Sequence, residues 1–293
     1  MIAYALTLHE ALTRHHPDLS FYVALSDGDE GLDTTTFPFG VLRLSELGLP
    51  DLETMATRYS DVEFRASIKP FVFQVLFDRH PGAGVLYLDP DTYVASRFEE
   101  LSDLVSGGAE CVLVPAITEP AEHAEIDDGQ VLSVGAYDLG FCWLADRSEV
   151  RRVVWWWARR LERDCLIDPA AGLYLDQRWA DLFPALIDQA RILRHPGYQV
   201  AYWNLAQRRL RSVDGRWLVN GLPLRSFHFA GCDPQDESVF SRHSTLFDMT
   251  NVGPAADLLS EFRATVMRHD HHTYAGDAQA RGVPGGRGQA DIR

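Results

Sequence analysis

Asp89 and Asp91, two carboxylates separated only by Pro90, are the side chains of this sequence best suited to hold a divalent cation. They follow Val85-Leu86-Tyr87-Leu88, an apolar run without a polar break that predicts a strand buried on both faces. Pro90 fixes its own φ and pushes Asp89 towards an extended backbone, so carboxylates at i and i+2 face the same way. Side by side they repel unless a cation or a proton holds them together. A divalent, oxygen-loving ion at the carboxyl end of a parallel strand is the expected resident, because open α/β sheets bind ligands there. Asp-Pro-Asp is also ordinary turn chemistry, so the rest of the chain has to decide.

His228 is the second such residue. It lies in Ser226-Phe227-His228-Phe229-Ala230-Gly231, a short strand with aromatic neighbours on the side opposite the imidazole. A lone strand histidine is commonly a core residue, but as a third ligand to two aspartates it shifts preference from magnesium or calcium towards manganese-like ions. Lys69 precedes Pro70 at the start of an apolar helix just ahead of the aspartates, where a helix N-terminus and a lysine suit an anion; a surface lysine with a buried stem is the alternative. Asp176-Gln177 follows Ala-Gly-Leu-Tyr-Leu, and Asp176 also suits a helix N-cap. Asp138, with Gly135 and Gly140, is placed in a loop before or at the start of a strand, able to touch a sugar or to serve as a turn. Tyr198, Tyr202, Trp203 and Asn204 suit stacking on a sugar or base, and equally a small satellite core.

The elements that must carry these residues alternate. Helical spacing covers Ile2 to Arg14, Asp51 to Tyr59, Ser67 to Arg79, residues 98–106, Ser148 to Arg163, a segment near 176–190, and 254–268. Strands are predicted at Ser20–Leu25, Val41–Leu44, Val85–Leu88, Cys111–Pro115, Leu139–Leu144, 191–194, 217–219 and 226–230. Alternation from 20 to 163 is the signature of a mostly parallel sheet with helices on its faces. The predicted organisation is one α/β domain over 1–268 and a polar, Gly-rich, disordered tail over 269–293, whose His269, His271 and His272 read as solvated. A doubly wound sheet normally opens with a strand, yet this sequence starts inside a helix, so the first strand is expected to be missing.

Composition narrows the function. At 293 residues and 46% hydrophobic content the chain buries a core without disulfides. Cys111, Cys142, Cys165 and Cys232 are scattered, with no Cys-x-x-Cys pair, which predicts reduced core cysteines and a cytoplasmic setting. A net charge of −15 argues against nucleic acid as partner, but admits a small anion received by a cation or by local basic groups. No apolar run reaches membrane length, and contact with the inner face of a membrane would be peripheral.

The order strand–Asp89-x-Asp91, Gly-rich loop with Asp138, Asp176-Gln177, strand-borne His228 and Gly231 resembles the metal-dependent GT-A glycosyltransferases over roughly residues 5–250. It is most similar to the retaining group containing glycogenin and the bacterial lipooligosaccharide galactosyltransferases. The resemblance implies a GT-A-like, Rossmann-like α/β fold and transfer of a sugar from a nucleotide-diphosphate sugar to a glycan, lipid or small-molecule acceptor, with retention. It implies that Asp89, Asp91 and His228 hold Mn2+, with Mg2+ as the alternative, and that Asp176 and Gln177 line the sugar site beside the reacting carbon. Lys69, Asp138 and Gly231 would contact the donor, although Asp138 stands where the family usually shows Asn. The family's first strand carries a loop that contacts base and ribose, so its absence implies a pocket open on that side and weaker nucleotide affinity. A sugar nucleotidyltransferase lacks support from any Gly-rich basic loop, a glycoside hydrolase from any opposed carboxylate pair. A non-catalytic nucleotide-sugar binder is the alternative of a different class.

Overall fold

The computed structural model describes residues 1–27, 32–120 and 125–269. It opens with α1 (Ile2–His15), which buries Ala5, Leu8 and Leu12 along one face and stops before Pro17. Two short strands, β1 (Tyr22–Ala24) and β2 (Gly40–Leu42), pair in parallel. Then come α2 (Leu52–Arg58), started by the Asp51 carboxylate, and α3 (Asp61–Ser67), started by a reciprocal Ser60–Glu63 cap. The sequence reading had no helix at α3. It leads directly into α4 (Lys69–Arg79), where Pro70 lies in the first turn and its missing N–H costs nothing.

Next are β3 (Gly84–Leu88), β4 (Thr92–Val94), α5 (Glu99–Ser106), β5 (Cys111–Pro115), α6 (Asp128–Val134), β6 (Tyr137–Ala145) and α7 (Ser148–Leu161). A two-stranded ribbon, β7 (Ile167–Asp168) with β8 (Leu173–Tyr174), precedes α8 (Gln177–Ala180) and α9 (Phe183–Leu186). The single helix expected near 176–190 is therefore two one-turn helices, because Pro184 cannot sit in a helix interior and serves in the first turn of α9. The chain continues through β9 (Ala190–Ile192), the meander β10 (Leu210–Val213), β11 (Arg216–Val219) and β12 (Leu222–Pro223), then β13 (Ser226–His228) and α10 (Ala255–Arg268).

The α/β expectation holds. The largest sheet has the order β3-β6-β5-β9; β3, β5 and β9 run in one sense and β6 runs against them. Among the described residues no strand lies between β1 and β3. One face of this sheet packs on α4 and α7 through Phe73, Phe77, Trp157 and Phe183, with Cys111, Cys142 and Cys165 as small core residues. The opposite face packs on α1 and α5 through Leu8, Leu12, Phe98, Phe141 and Tyr198. A third cluster, with Phe227, Phe229 and Phe262, ties β13 to α10. All four cysteines are free thiols. His269 ends α10 and bonds the Glu10 carboxylate at 2.9 Å; His271 and His272 lie outside the described residues. Among the described residues no helix is long and apolar enough to cross a membrane.

Candidate metal and donor site

β3 delivers Asp89 to the end of the sheet, where its amide still bonds Gly140 O at 2.9 Å. The chain turns through Pro90, closed by Thr92 N on Asp89 O at 3.0 Å, and leaves as β4. β4 pairs antiparallel with β13, setting His228 opposite Thr92, and Phe229 N bonds Asp91 O at 3.0 Å. This second ladder brings a histidine distant in sequence to the aspartates. His228 Nε2 lies 3.3 Å from Asp91 Oδ1 and 3.6 Å from Asp89 Oδ2, and one ligand atom from each residue falls within 4.8 Å of the others. Both carboxylates stay partly open to solvent while the imidazole is buried. The expected trio is thus brought together by the fold.

Asp138 stands at the start of a strand, as expected, but in the strand and not on a loop. It sits buried inside β6, which opens two residues earlier than predicted, beside a register shift against β5 at Leu113/Val114. Its carboxylate is fully engaged: Oδ2 faces His228 Nδ1 at 3.3 Å and accepts from Gln199 Nε2 at 3.0 Å, and Oδ1 accepts from Gly140 N at 2.8 Å. Ser226 fixes Gln199 in turn, donating its hydroxyl to Oε1 at 2.9 Å and accepting the Gln199 amide at 2.9 Å. A carboxylate on one imidazole nitrogen fixes the ring so that the other faces the cation position, the usual second contact of a metal-binding histidine. Gly140 permits this approach: a Cβ there would meet His228 Cε1 at 2.7 Å. Asp138 is therefore turned towards the histidine.

Lys69 and Asp176 also meet. Lys69 Nζ lies 2.5 Å from Asp176 Oδ2, both buried, and donates to Leu139 O at 3.0 Å. Asp176 makes no capping hydrogen bond at α8, so its cap reading fails. Lys69 is no surface lysine either. It also lies over the Tyr87 ring, 4.2 Å from the centroid, and Tyr87 donates its hydroxyl to Asp89 Oδ1 at 2.7 Å. The buried pair is linked in this way to the trio. Gln177 instead ties α8 to the end of α6, its Nε2 donating to Val134 O at 3.2 Å. Gly231 turns at φ +75°, and a Cβ there would meet His243 Cδ2 at 2.5 Å.

The electrostatics follow. Burial lowers the proton affinity of His228, but Asp91 and Asp138 overcome this and hold it well above the ordinary imidazole value. Burial pushes the Asp89 carboxyl up, opposed by Lys69 and His228. Asp138 goes the other way: burial would raise it, yet His228, Gly140 N–H and Gln199 hold it below the usual carboxylate range. Burial together with Asp89 keeps the Tyr87 phenol protonated and a donor. Lys69 is lowered by burial and raised more strongly by Asp176 and Asp89.

The aromatic cluster divides. Tyr198 is wholly buried and bonds Glu100 Oε2 at 3.0 Å, and buried Asn204 donates to Ala116 O and Gln199 O. These two are core. Trp203 stands edge-on to His228, ring centroids 5.4 Å apart, and its buried indole N–H has no partner among the described residues. Sequence reasoning missed Tyr87 and Gln199, whose contacts join segments far apart in the chain. The alternation of Tyr87 and Asp89 along one strand was an available signal for Tyr87.

No protein-family model matches the chain. The uncharacterized protein YfnD of Bacillus subtilis is 26% identical over 109 residues, which covers 36% of this chain and 35% of that one. The matched part is about a third of the relative. Among solved structures, galactosyltransferase LgtC in complex with donor and acceptor sugar analogs superposes over 90% of this chain and 91% of that one, at 15% identity and a TM-score of 0.47. An active-site mutant of LgtC aligns equally well.

Proposed function

We propose that residues 1–268 form a metal-dependent glycosyltransferase that uses a nucleotide-diphosphate sugar. The observation that carries this is the convergence of Asp89, Asp91 and His228 at the end of a strand, with the His228 ring fixed from behind by Asp138. Two carboxylate oxygens and one imidazole nitrogen suit a manganese-like ion better than magnesium or calcium. A divalent ion there would neutralise charge on a departing diphosphate. The chain supplies the rest. Asp138 orients the histidine and excludes the wrong tautomer. Lys69 holds Asp176 in place, so Asp176 is the carboxylate available to face positive charge at the anomeric carbon, with Gln177 beside it. Gly231 keeps the His228 strand close to the following loop. Retention, a glycan or lipid-linked acceptor and Mn2+ over Mg2+ belong to the same proposal and rest on the sequence resemblance.

The test is nucleotide-sugar hydrolysis and transfer with and without Mn2+. Turnover should require the ion and be lost in Asp91→Asn, with an unchanged circular dichroism spectrum, since the change lies at an open rim. Equal turnover in the variant would sink the metal assignment. Mn2+-dependent nucleotide-sugar binding without turnover, over a range of acceptors, would leave a binding protein.

A further inference from the structure

Arg208 breaks the usual rule for buried charge. Only 3% of its surface is exposed, and its Nε and Nη1 have no hydrogen-bond partner among the described residues. A guanidinium is charged at neutral pH and presents five N–H donors, and buried charges are normally paired. The carboxylates around it do not serve. Glu100, which meets His195 within the field of Arg208, is taken by Arg225, Tyr198 and His195. Glu119 is exposed and forms no ion pair with Arg208 among the described residues. Burial accordingly pulls the Arg208 guanidinium down to about 10, and Glu119 opposes the shift only in part.

The backbone around this side chain is fixed. Arg208 follows the 3₁₀ turn Tyr202–Gln207, and its amide bonds Leu205 O at 3.0 Å. Gln207 Nε2 donates across to Glu119 O at 2.8 Å; Asn220 donates to Gln207 O at 3.0 Å and accepts the Arg209 amide at 2.8 Å. Donors left unpaired on a frame this constrained form a preorganised receptor, with little ordering left to supply on binding. The neighbouring charges act in the same direction. The Arg209 and Arg211 side chains are exposed and make no ion pair among the described residues. Three unpaired arginines thus fall within four residues of a chain whose net charge is −15. They attract an anion locally, against the repulsion of the chain as a whole.

We propose that Arg208 anchors a binding site for a small oxyanion, the phosphate or carboxylate group of a ligand, between the 3₁₀ turn and residues 118–120. A guanidinium matches such groups in shape as well as charge, which a halide does not. The small part of Arg208 left open marks the entry. An apolar ligand would leave the buried charge as costly as before. The site is separate from the cation trio. Trp203, near the start of the turn, stands against His228, whereas Arg208 follows its last residue.

The experiment follows the Nε–H signal of Arg208 by NMR in the 293-residue chain, assigned with Arg208→Lys, as phosphate or acetate replaces chloride at constant ionic strength. At least one of the two should shift it saturably, with half-saturation at or below about 1 mM. A response to phosphate alone assigns a phosphate group, to acetate alone a carboxylate, and to both any oxyanion. The thermal midpoint of the natural sequence should rise with the same anion. That of Arg208→Met should start higher and not respond, because an unpaired buried charge has been removed. Arg208→Lys, which keeps a charge but loses the planar fork, should bind at least tenfold more weakly. A signal that neither anion shifts saturably would overturn the proposal, as would an Arg208→Met midpoint that still rises with the anion. So would a Glu119→Gln variant whose Arg208 signal moves as far as a saturating anion moves it, since Glu119 would then be the partner in solution. None of these readouts uses a metal or a nucleotide-sugar, so they stand apart from the glycosyltransferase reading.

Discussion

The Asp138–His228 contact decides how the trio can work. His228 presents Nε2 to two carboxylates only because Asp138 holds Nδ1, and Asp138 keeps its charge only because Gly140, Gln199 and His228 surround it. Asp138→Asn preserves shape and removes the charge. Mn2+ affinity should fall about 10- to 100-fold, the usual cost of losing such an orienting partner. Calorimetric Mn2+ titration is the check, and unaltered affinity would mean the ring is held by packing alone. The sign of the pH effect follows from the raised proton affinity of His228. A cation needs the neutral ring, so it must displace a proton that persists above the ordinary imidazole value. Mn2+ affinity should therefore rise as pH increases from 6 through 8, with net proton release measurable in buffers of different ionisation enthalpy. Proton-neutral binding would contradict the assignment of His228 as ligand.

At the scale of elements, the site depends on β13 being clamped to the sheet end. Arg225, just ahead of β13, is buried and bonds Glu100 through Nε at 2.9 Å and through a terminal nitrogen at 2.8 Å, with Glu99 at 2.5 Å. Both glutamates stand in the first turn of α5, where negative charge is favoured in any case. Arg225→Met should cost about 2–3 kcal/mol in urea unfolding, below the 3–5 kcal/mol of a fully buried pair because the carboxylates reach solvent. A loss under 0.5 kcal/mol would show that β13 is held by its aromatic packing. Burial tends to raise the Glu100 carboxyl, but Arg225 lowers it further, leaving it below its usual value. Its contribution is then complete above the unfolded value near 4.3 and declines as pH falls through the lower folded value. The urea midpoint should drop more steeply below pH 4.5 in the natural sequence than in Arg225→Met.

Across the whole molecule, the strands are unevenly supported. β5 and β6 lie inside the four-stranded sheet with helices on both faces, and Leu113, Phe141 and Cys142 are fully buried. β1 and β2 form a separate two-stranded pair in which only Leu42 is fully buried, a unit that is marginal by itself. Amides of β1 and β2 should exchange by local opening at least 100-fold faster than those of Leu113 and Cys142 in native-state hydrogen exchange. Matching rates would show that α1 and α4 couple the two sheets into one cooperative unit. The net charge of −15 adds a condition at this scale. An anionic ligand meets a repulsive field everywhere except where a cation or a buried lysine offsets it.

The sequence by itself determined the strand that delivers Asp89 and Asp91, because an unbroken apolar run ending in Asp-Pro-Asp allows few other local structures. It determined most helices too, since caps and 3.6-residue spacing are local properties; α3 and α6 escaped although each opens on a reciprocal cap, because seven residues carry too little of the 3.6-residue spacing to stand out. Asp176 and Lys69 could be named as candidates, but not as partners. Partnership depends on β8, α8 and α4 meeting on one face of the sheet, and no short-range pattern encodes that. Asp138 shows the same limit: read as loop chemistry beside two glycines, it became the buried partner of His228 once β6 and β13 were side by side.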